Sequence, residues 1–476
     1  MNSDSTSDTT QREPPSEALG PHPSRSAQPK GPRMLAGMGA LLLALVVLGA
    51  LAGLALPWYS ARTLAAELQS LAAAHADGAL RIRNLAHQEG WFSSRGAMDV
   101  EWLNQCSEDA ADPVVVRVDY AASHVPGLRG LTRFEWSAAP AGAPGAPWQE
   151  MLRGGKLSGQ GHVSFAGTLV SDMQLPELGL LARGESLQVA PSQGHLEISG
   201  RALRFDWVFD RMVARGNGRA LEAKQISLHL DLTDRALGMG AVTLGLESLS
   251  TETVALQGLR LSSHTSQSYD RLDSKFTQSV RSLQFQGRSL NDLALVAEIK
   301  GLHTASLVAI SRIVGETCAM RNATLGEQQQ LRAAVKKLLL SGLSAGIPIL
   351  KGGGMEGSLE GDLLLTLAPS PGDDVLLATQ LSSSGNITAK GRLMPPDQRE
   401  YALSTGLVRE LPDGVQASFD YGAGVLKVSG KTMDGAMVQL GLQKFDAWLK
   451  AFLSDQAEDA PVEEPPLVAP AEAPRS

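Results

Sequence analysis

Gln225-Ile226-Ser227-Leu228-His229-Leu230-Asp231-Leu232 alternates apolar and polar residues without a break. In an extended chain successive side chains point to opposite faces. Ile226, Leu228, Leu230 and Leu232 therefore share one face, and Ser227, His229 and Asp231 the other. This is a strand with one buried side and one wet side. Similar alternation recurs in Val114–Val118, His162–Leu169, His195–Phe209, Ala241–Leu249, Val254–Leu261 and Leu283–Ile299. Gly, Asn, Asp and Ser punctuate the runs at short intervals, as antiparallel hairpins require. Helical periodicity is nearly absent between Leu80 and Lys300, which argues against the strand–helix alternation of a doubly wound nucleotide-binding sheet. The expected fold class is mainly β (β-rich α+β): a large curved antiparallel sheet with a helical insertion, preceded by a single transmembrane helix. A sandwich, a barrel-like roll and an open curved sheet all satisfy this pattern.

On the carboxyl side the period changes at His303. Leu307, Ile310 and Val314 share a helical face, as do Leu331, Val335, Leu338 and Leu339. Two helices over 303–319 and 326–345 are predicted within an insertion spanning 303–345, as a lid on the sheet or a plug at its end. Strands resume in Gly357–Ala368, Val375–Leu393 and Val415–Val428, within a second β-rich region over 346–454. A final amphipathic helix is expected near Gln443–Leu453. On the amino side, Leu64, Leu68 and Leu71 predict a short helix that opens the first β-rich region, 60–302.

The termini differ in kind. Residues 1–33 and 455–476 are Pro-rich tails with too little apolar surface to offset ordering entropy. Met34 to Leu56 carries no charge and as a helix would span roughly 34 Å, enough for a bilayer's hydrocarbon core. Arg25, Lys30 and Arg33 precede it, whereas Trp58 and Tyr59 follow. This asymmetry predicts a cytoplasmic tail, a single-pass anchor over 34–56 in contact with membrane lipid, and a chain that otherwise faces the periplasm. Ala50-Leu51-Ala52 also fits a signal-cleavage pattern, so a cleaved leader is the alternative.

Composition removes several function classes. The formal net charge is −8, unlike the basic surface a nucleic-acid binder needs. Two cysteines exclude a disulfide-built scaffold and a Cys-based zinc module. The nine histidines show no HExxH or other close pair, so neither metal nor cofactor is expected.

Glu89-Gly90-Trp91-Phe92-Ser93-Ser94 follows the strand-like Ile82–Leu85. With the anchor, it resembles the YdgA-like family of bacterial envelope proteins, whose domain is named for its unknown function. Ser123-His124-Val125-Pro126 resembles the family's second signature, with Val125 where Gly is usual. Leu359, Gly361 and alternating Leu363, Leu365 and Leu367 resemble the strand after the helical insert. Tyr421, Gly422, Gly424, Val425, Lys427, Val428, Gly430 and Lys431 resemble its terminal hairpin. The resemblance implies an inner-membrane, periplasm-facing protein and no known reaction.

Trp91 and Phe92 are binding candidates; on an alternating strand they would point to opposite faces, one of them into the core. Ser93 and Ser94 lack the GxSxG elbow of a nucleophile. His124 is the one histidine inside a motif, where it fits a structural hydrogen bond to a turn. A cleft placing it beside a carboxylate and a hydroxyl would instead make it a general base. Gly430-Lys431-Thr432 lacks phosphate-loop spacing, since five residues separate Gly424 from Gly430, and reads as part of a hairpin. Cys106 and Cys318 either pair across an oxidising compartment or stay as two buried thiols. These readings converge on a non-enzymatic, membrane-tethered protein that binds a hydrophobic ligand such as a lipid, or an envelope partner, through its sheet. The alternatives are an envelope hydrolase with a site assembled from distant strands, and a structural spacer.

Overall fold

The computed structural model describes residues 53, 55–73, 75, 80–102, 114–141, 155–182, 185–216, 218–316, 323–392, 394, 396–433 and 436–454. Both tails, the anchor apart from 53, 55 and 56, Cys106 and Cys318 lie outside them. No helix among the described residues is long and apolar enough to cross a membrane.

A helix, α1, over residues 55–73 leads into one 22-stranded antiparallel sheet. β1 (Leu80–Gln88), β2 (Ser93–Trp102), β3 (Val114–Ser123), β4 (Thr132–Ala141) and β5 (Leu157–Val163) come first. A broken hairpin follows, in which β6 (Leu169–Leu175) continues as β7 (Leu178–Ala182), and β8 (Glu185–Val189) as β9 (Ser192–Ser199). Pro176 and Pro191 sit at the two breaks, where a residue without an N–H leaves the ladder unharmed. Six longer strands form the middle: β10 (Ala202–Gly216), β11 (Arg219–Asp234), β12 (Met239–Ser250), β13 (Val254–Ser268), β14 (Arg271–Phe285) and β15 (Arg288–His303). Helices α2 (Thr304–Glu316) and α3 (Leu325–Leu340) intervene before β16 (Leu343–Gly354) and β17 (Gly357–Leu367). The chain closes with α4 (Leu377–Gln380), β18 (Leu381–Gly391), α5 (Pro396–Thr405), β19 (Arg409–Leu411), β20 (Gly414–Gly422), β21 (Val425–Val428), β22 (Lys431–Met433) and α6 (Ala436–Leu453).

Nearly every strand pairs with its neighbours in sequence, so the topology is a meander. Among the described residues β1 pairs only with β2 and β22 only with β21, which leaves the sheet open. Several of the hairpins close with two-residue turns. Ala423-Gly424 and Ser429-Gly430 have φ of 49°, 79°, 48° and 82°, the all-positive pattern whose twist matches antiparallel strands. The glycines beside Lys431 and Thr432 are therefore turn residues, as a hairpin reading requires.

Helices α2, α3, α4 and α6 gather at one end of the ladder, whereas α5 follows β18 at the other end, beside the β16–β17 turn. α2 packs on α3, both touch the end of β15, and α6 rests on α3 and α4. Thr324 and Glu327 form a reciprocal capping box at the start of α3. Arg271 on β14 closes its other end, donating to Ser341 O at 2.9 Å, Gly342 O at 3.0 Å and Gly301 O at 2.7 Å. Gly342, at φ 75°, stops α3 short of the expected residue 345. The buried face of α2 is carried by Ser306 and Ile313, whereas Val314 is exposed. The expected face is thus rotated by about one residue, because the pairing with α3 selects Ile313.

Several expected strands prove to be hairpins. His162–Leu169 contains the turn 164–167, His195–Phe209 turns at Gly200-Arg201, and Leu283–Ile299 at Gln286-Gly287. Val415–Val428 likewise turns at Ala423-Gly424, and Val375–Leu393 begins with α4. Residues such as Gln286 and Ala423 do not advertise a left-handed turn, so apolar alternation on both arms reads as one run.

A polar seam crosses the central strands. The ladder is interrupted at Asp210, Gln225, Glu247, Gly258, Arg281 and Asp292, which fall in one row across β10–β15. Gln225, Gly258 and Asp292, on alternate strands, are left-handed at φ 51°, 63° and 52°. Gln225 donates to Asp210 at 3.1 Å, and Arg281 to Glu247 at 3.2 Å beside Gly258. Apolar positions change parity there: Ile226, Leu228 and Leu230 give way to Leu221 and Ala223 on β11. Left-handed residues of this kind re-aim a strand as a bulge does.

Candidate functional site

Residues directly opposite in an antiparallel ladder share a face. One such row runs Gly96–Tyr120–Trp136–Gly159–Met173–Gly194–Trp207 from β2 to β10. It continues through Leu228, Leu244, Leu261, Gln278, Leu295, Leu350, Gly361, Ile387 and Ala417 to β20. Between Tyr120 and Ala417 only Gln278 carries a polar amide. The adjoining row on the same face includes Phe134, Leu196, Phe205, Leu230 and Val242. The sheet thus presents an apolar band across nearly its whole width.

The band is built in two ways. Towards its amino-terminal edge, aromatic rings lie over glycines: a Cβ at Gly159 would fall inside the Trp136 indole, one at Gly161 inside Phe134, and one at Gly194 inside Trp207. The indole N–H groups donate to serines on the same face, Trp136 to Ser171 and Trp207 to Ser192, each at 3.0 Å. Phe205, Trp207 and Phe209 stack along β10 at 5.8 Å. From β11 onward leucine opposes leucine. Leu228, Leu244, Leu261, Leu295 and Leu350 stay half-exposed, and Ile387 is 45% exposed. A hollow of about 460 Å³ lies beside them, lined by Leu290, Leu293, Leu350, Leu359 and Met394.

The opposite face is polar. Asp172 pairs with His195 at 2.8 Å and Asp206 with His229, in one row crossing β6, β9, β10 and β11. His229 is exposed on this wet face. Over β1–β6 the polar side forms a trough of about 910 Å³ that includes Arg95, Asp119, Glu135 and Asp172.

The two short signatures meet at the end of the sheet. His124 is wholly buried; its Nε2 lies 2.7 Å from Ser94 Oγ and its Nδ1 3.5 Å from Thr132 Oγ1. Its backbone N–H donates to Phe92 O at 2.8 Å. Burial holds the imidazole pKa below its ordinary value; His87 acts in the same direction, and Glu89 opposes them. Hydroxyls therefore flank a neutral imidazole. Among the described residues no carboxylate hydrogen-bonds it and no cleft reaches it. The cluster ties the β1–β2 and β3–β4 hairpins together.

Trp91 and Phe92 depart from expectation. They lie in the bend before β2 and not on it, so neither enters the core, and both are about half exposed, 52% and 49%. Gly90 explains the bend: a Cβ there would press on the Ser93 carbonyl. The apolar band escaped the sequence reading because it depends on register. Its available signal was the pair Gly159 and Gly161 within a strand, a spacing that suits rings on a neighbouring strand.

An open antiparallel sheet with a few helices and one apolar face among the described residues defines the class of this protein: a mainly β fold. The chain belongs to a family described as bacterial protein of unknown function (DUF945), whose model matches residues 39–436. No curated protein and no solved structure gives a significant match.

Proposed function

We propose that this chain is a YdgA-like envelope protein, held in the bacterial inner membrane by residues 34–56 and facing the periplasm. In this role it binds the acyl portion of a lipid along the apolar face of its sheet. One observation carries the reading: the row from Trp207 to Leu350 is apolar except at Gln278 and stays partly exposed from Leu228 onward. Contiguous exposed apolar surface of this extent marks a ligand or partner site in a soluble domain. Strands lie about 4.8 Å apart, so Trp207 to Leu261 spans roughly 14 Å, a length suited to an extended acyl chain. The sheet curves around that occupant, and the polar face stays in water.

Native mass spectrometry of the full chain, purified in mild detergent, tests this. Phospholipid should co-purify, and the combined substitution Leu228→Gln, Leu244→Gln and Leu261→Gln should remove most of it. Lipid-free protein, or a variant that retains the same lipid, overturns the proposal. Fractionation should recover the intact chain with the inner membrane, its body cleaved by added protease only after the outer membrane is permeabilised.

A further inference from the structure

The hollow beside Leu350 is built unlike the rest of the apolar face. Leu290, Leu293, Leu350, Leu359 and Met394 stand around it, and Gly352 and Gly357 leave bare backbone between them. Lys351 and Gln398 are the polar side chains that border it. On β5 and β9 the glycines lie under aromatic rings, which fill the space. At Gly352 the nearest neighbour of a Cβ would be the Leu293 side chain, and no ring lies over it. The remaining volume, about 460 Å³, falls within the range of roughly 300–1,000 Å³ usual for mostly apolar ligand sites.

The hollow is continuous with the segment proposed above for an acyl chain. Leu261 pairs with Gln278, Gln278 with Leu295 and Leu295 with Leu350. Three strand spacings, roughly 14 Å, therefore join the two places, the same span as from Trp207 to Leu261. Half a bilayer's hydrocarbon core is about 15 Å, so one extended chain fills either segment. A second row follows the first through Phe209, Ile226, Leu246 and Leu259, with Val280 opposite Leu293 beyond it. Rows on one face stand about 6.8 Å apart, twice the rise per residue, so the groove between them runs across the strands. Neither row carries a charge from β10 to the hollow, and Gln278 is their one amide. Holding a ligand at a single place takes precisely set polar groups. A leucine row offers the same contact at every strand instead, and a chain that shifts by one strand exchanges one leucine for the next.

We infer that acyl chains slide across the strands between the Trp207–Leu261 segment and the hollow at Leu350, so that the protein transfers phospholipid between bilayers instead of storing it. The two places give a lipid separate points of entry and departure on one uncharged path, with Gln278 between them. This inference rests on the lipid reading above, which itself needs only the first segment to be occupied.

The test reconstitutes the full chain into vesicles carrying a fluorescent phosphatidylethanolamine with its quencher, and mixes them with unlabelled vesicles. Transfer is read as the rise in emission, which wild type should accelerate several-fold over protein-free vesicles. Gln278→Glu changes the shape of the face little but sets a carboxylate between the two segments. Its transfer rate should fall at least about tenfold, because a passing hydrocarbon chain must strip water from an unpaired charge. Lipid should still co-purify with it in native mass spectrometry. Ser279→Glu, on the wet face of the same strand opposite Arg260, should leave the rate unchanged. Leu350→Gln and Met394→Gln combined, which make the hollow polar, should likewise keep lipid bound and slow its transfer. Full transfer by Gln278→Glu or by the hollow variant overturns the inference and leaves the lipid reading standing, as does wild type that carries lipid but transfers none. Wild type without lipid overturns the earlier reading and this one with it.

Discussion

Strands β2–β9 and strands β10–β15 carry the same apolar face by different means. In the first region the strands are 5 to 10 residues long, and rings rest on bare backbone at Gly159, Gly161 and Gly194. Met173, Ala122 and Ala138 are buried there, and His124 locks the hairpin ends. In the second region most strands are 15 or 16 residues long, and leucines meet leucines at half exposure. A ring laid on glycine seals its own site, because the partner strand's backbone fills the space a side chain would take. A leucine row seals nothing above it. The contrast teaches that one region completes its packing internally, while the other leaves apolar surface for something else to cover.

The largest effect should come where the two regions join. Trp207 is buried, stacked between Phe205 and Phe209, and seated on Gly194. Trp207→Ala should cost about 3–5 kcal/mol, read as a fall in the urea midpoint. Leu244→Ala, two strands along the same row on β12 and partly exposed, should cost about 1–2 kcal/mol in lipid-free protein. Equal losses would mean that the leucine row is already covered, and the contrast would fail.

A smaller effect separates the His124 cluster from the rest of its region. Ser94→Ala leaves a buried imidazole nitrogen without its partner at 2.7 Å, which should cost about 1–3 kcal/mol. Acid should act through the same residue. His124 titrates below its ordinary value in the folded chain, so the unfolded chain binds the proton first. The stability this residue contributes is complete above about pH 6.5, the unfolded value, and is lost as pH falls from there towards the lower folded value. Urea midpoints between pH 7 and 5 should decline in wild type and decline less steeply in His124→Gln. Matching slopes would remove His124 as the source.

The strands were legible because burial of one sheet face imposes a period of two, as at Ile226–Leu232. Turns were less so: Gln286 and Ala423 adopt left-handed geometry without the Asn or Gly that announces it. The GWFSS and SHVP strings pointed to His124 and to the hairpins it joins. Their contact with one another did not, since Ser94 and His124 meet only through the β2–β3 pairing. The band from Tyr120 to Ala417 was invisible for the same reason. Each strand shows its apolar side, but only register shows that those sides align, and the parity change at Gln225, Gly258 and Asp292 hides it further.

The smallest expected effect lies on the wet face, where both regions look alike. Asp172 pairs with His195 inside the first region and Asp206 with His229 inside the second, all four side chains exposed by a third or more. Exposed pairs gain little Coulomb energy in water and are screened by salt. Asp206→Asn should therefore shift stability by less than about 1 kcal/mol, and Asp172→Asn by a similar amount. Both shifts should shrink further at high salt, in urea titrations run at two ionic strengths. A large, salt-insensitive loss for Asp206→Asn alone would show that the polar face of the central strands is not bathed in water. The two regions would then differ on both faces, and the proposed acyl ligand would no longer be the only cover the central sheet requires.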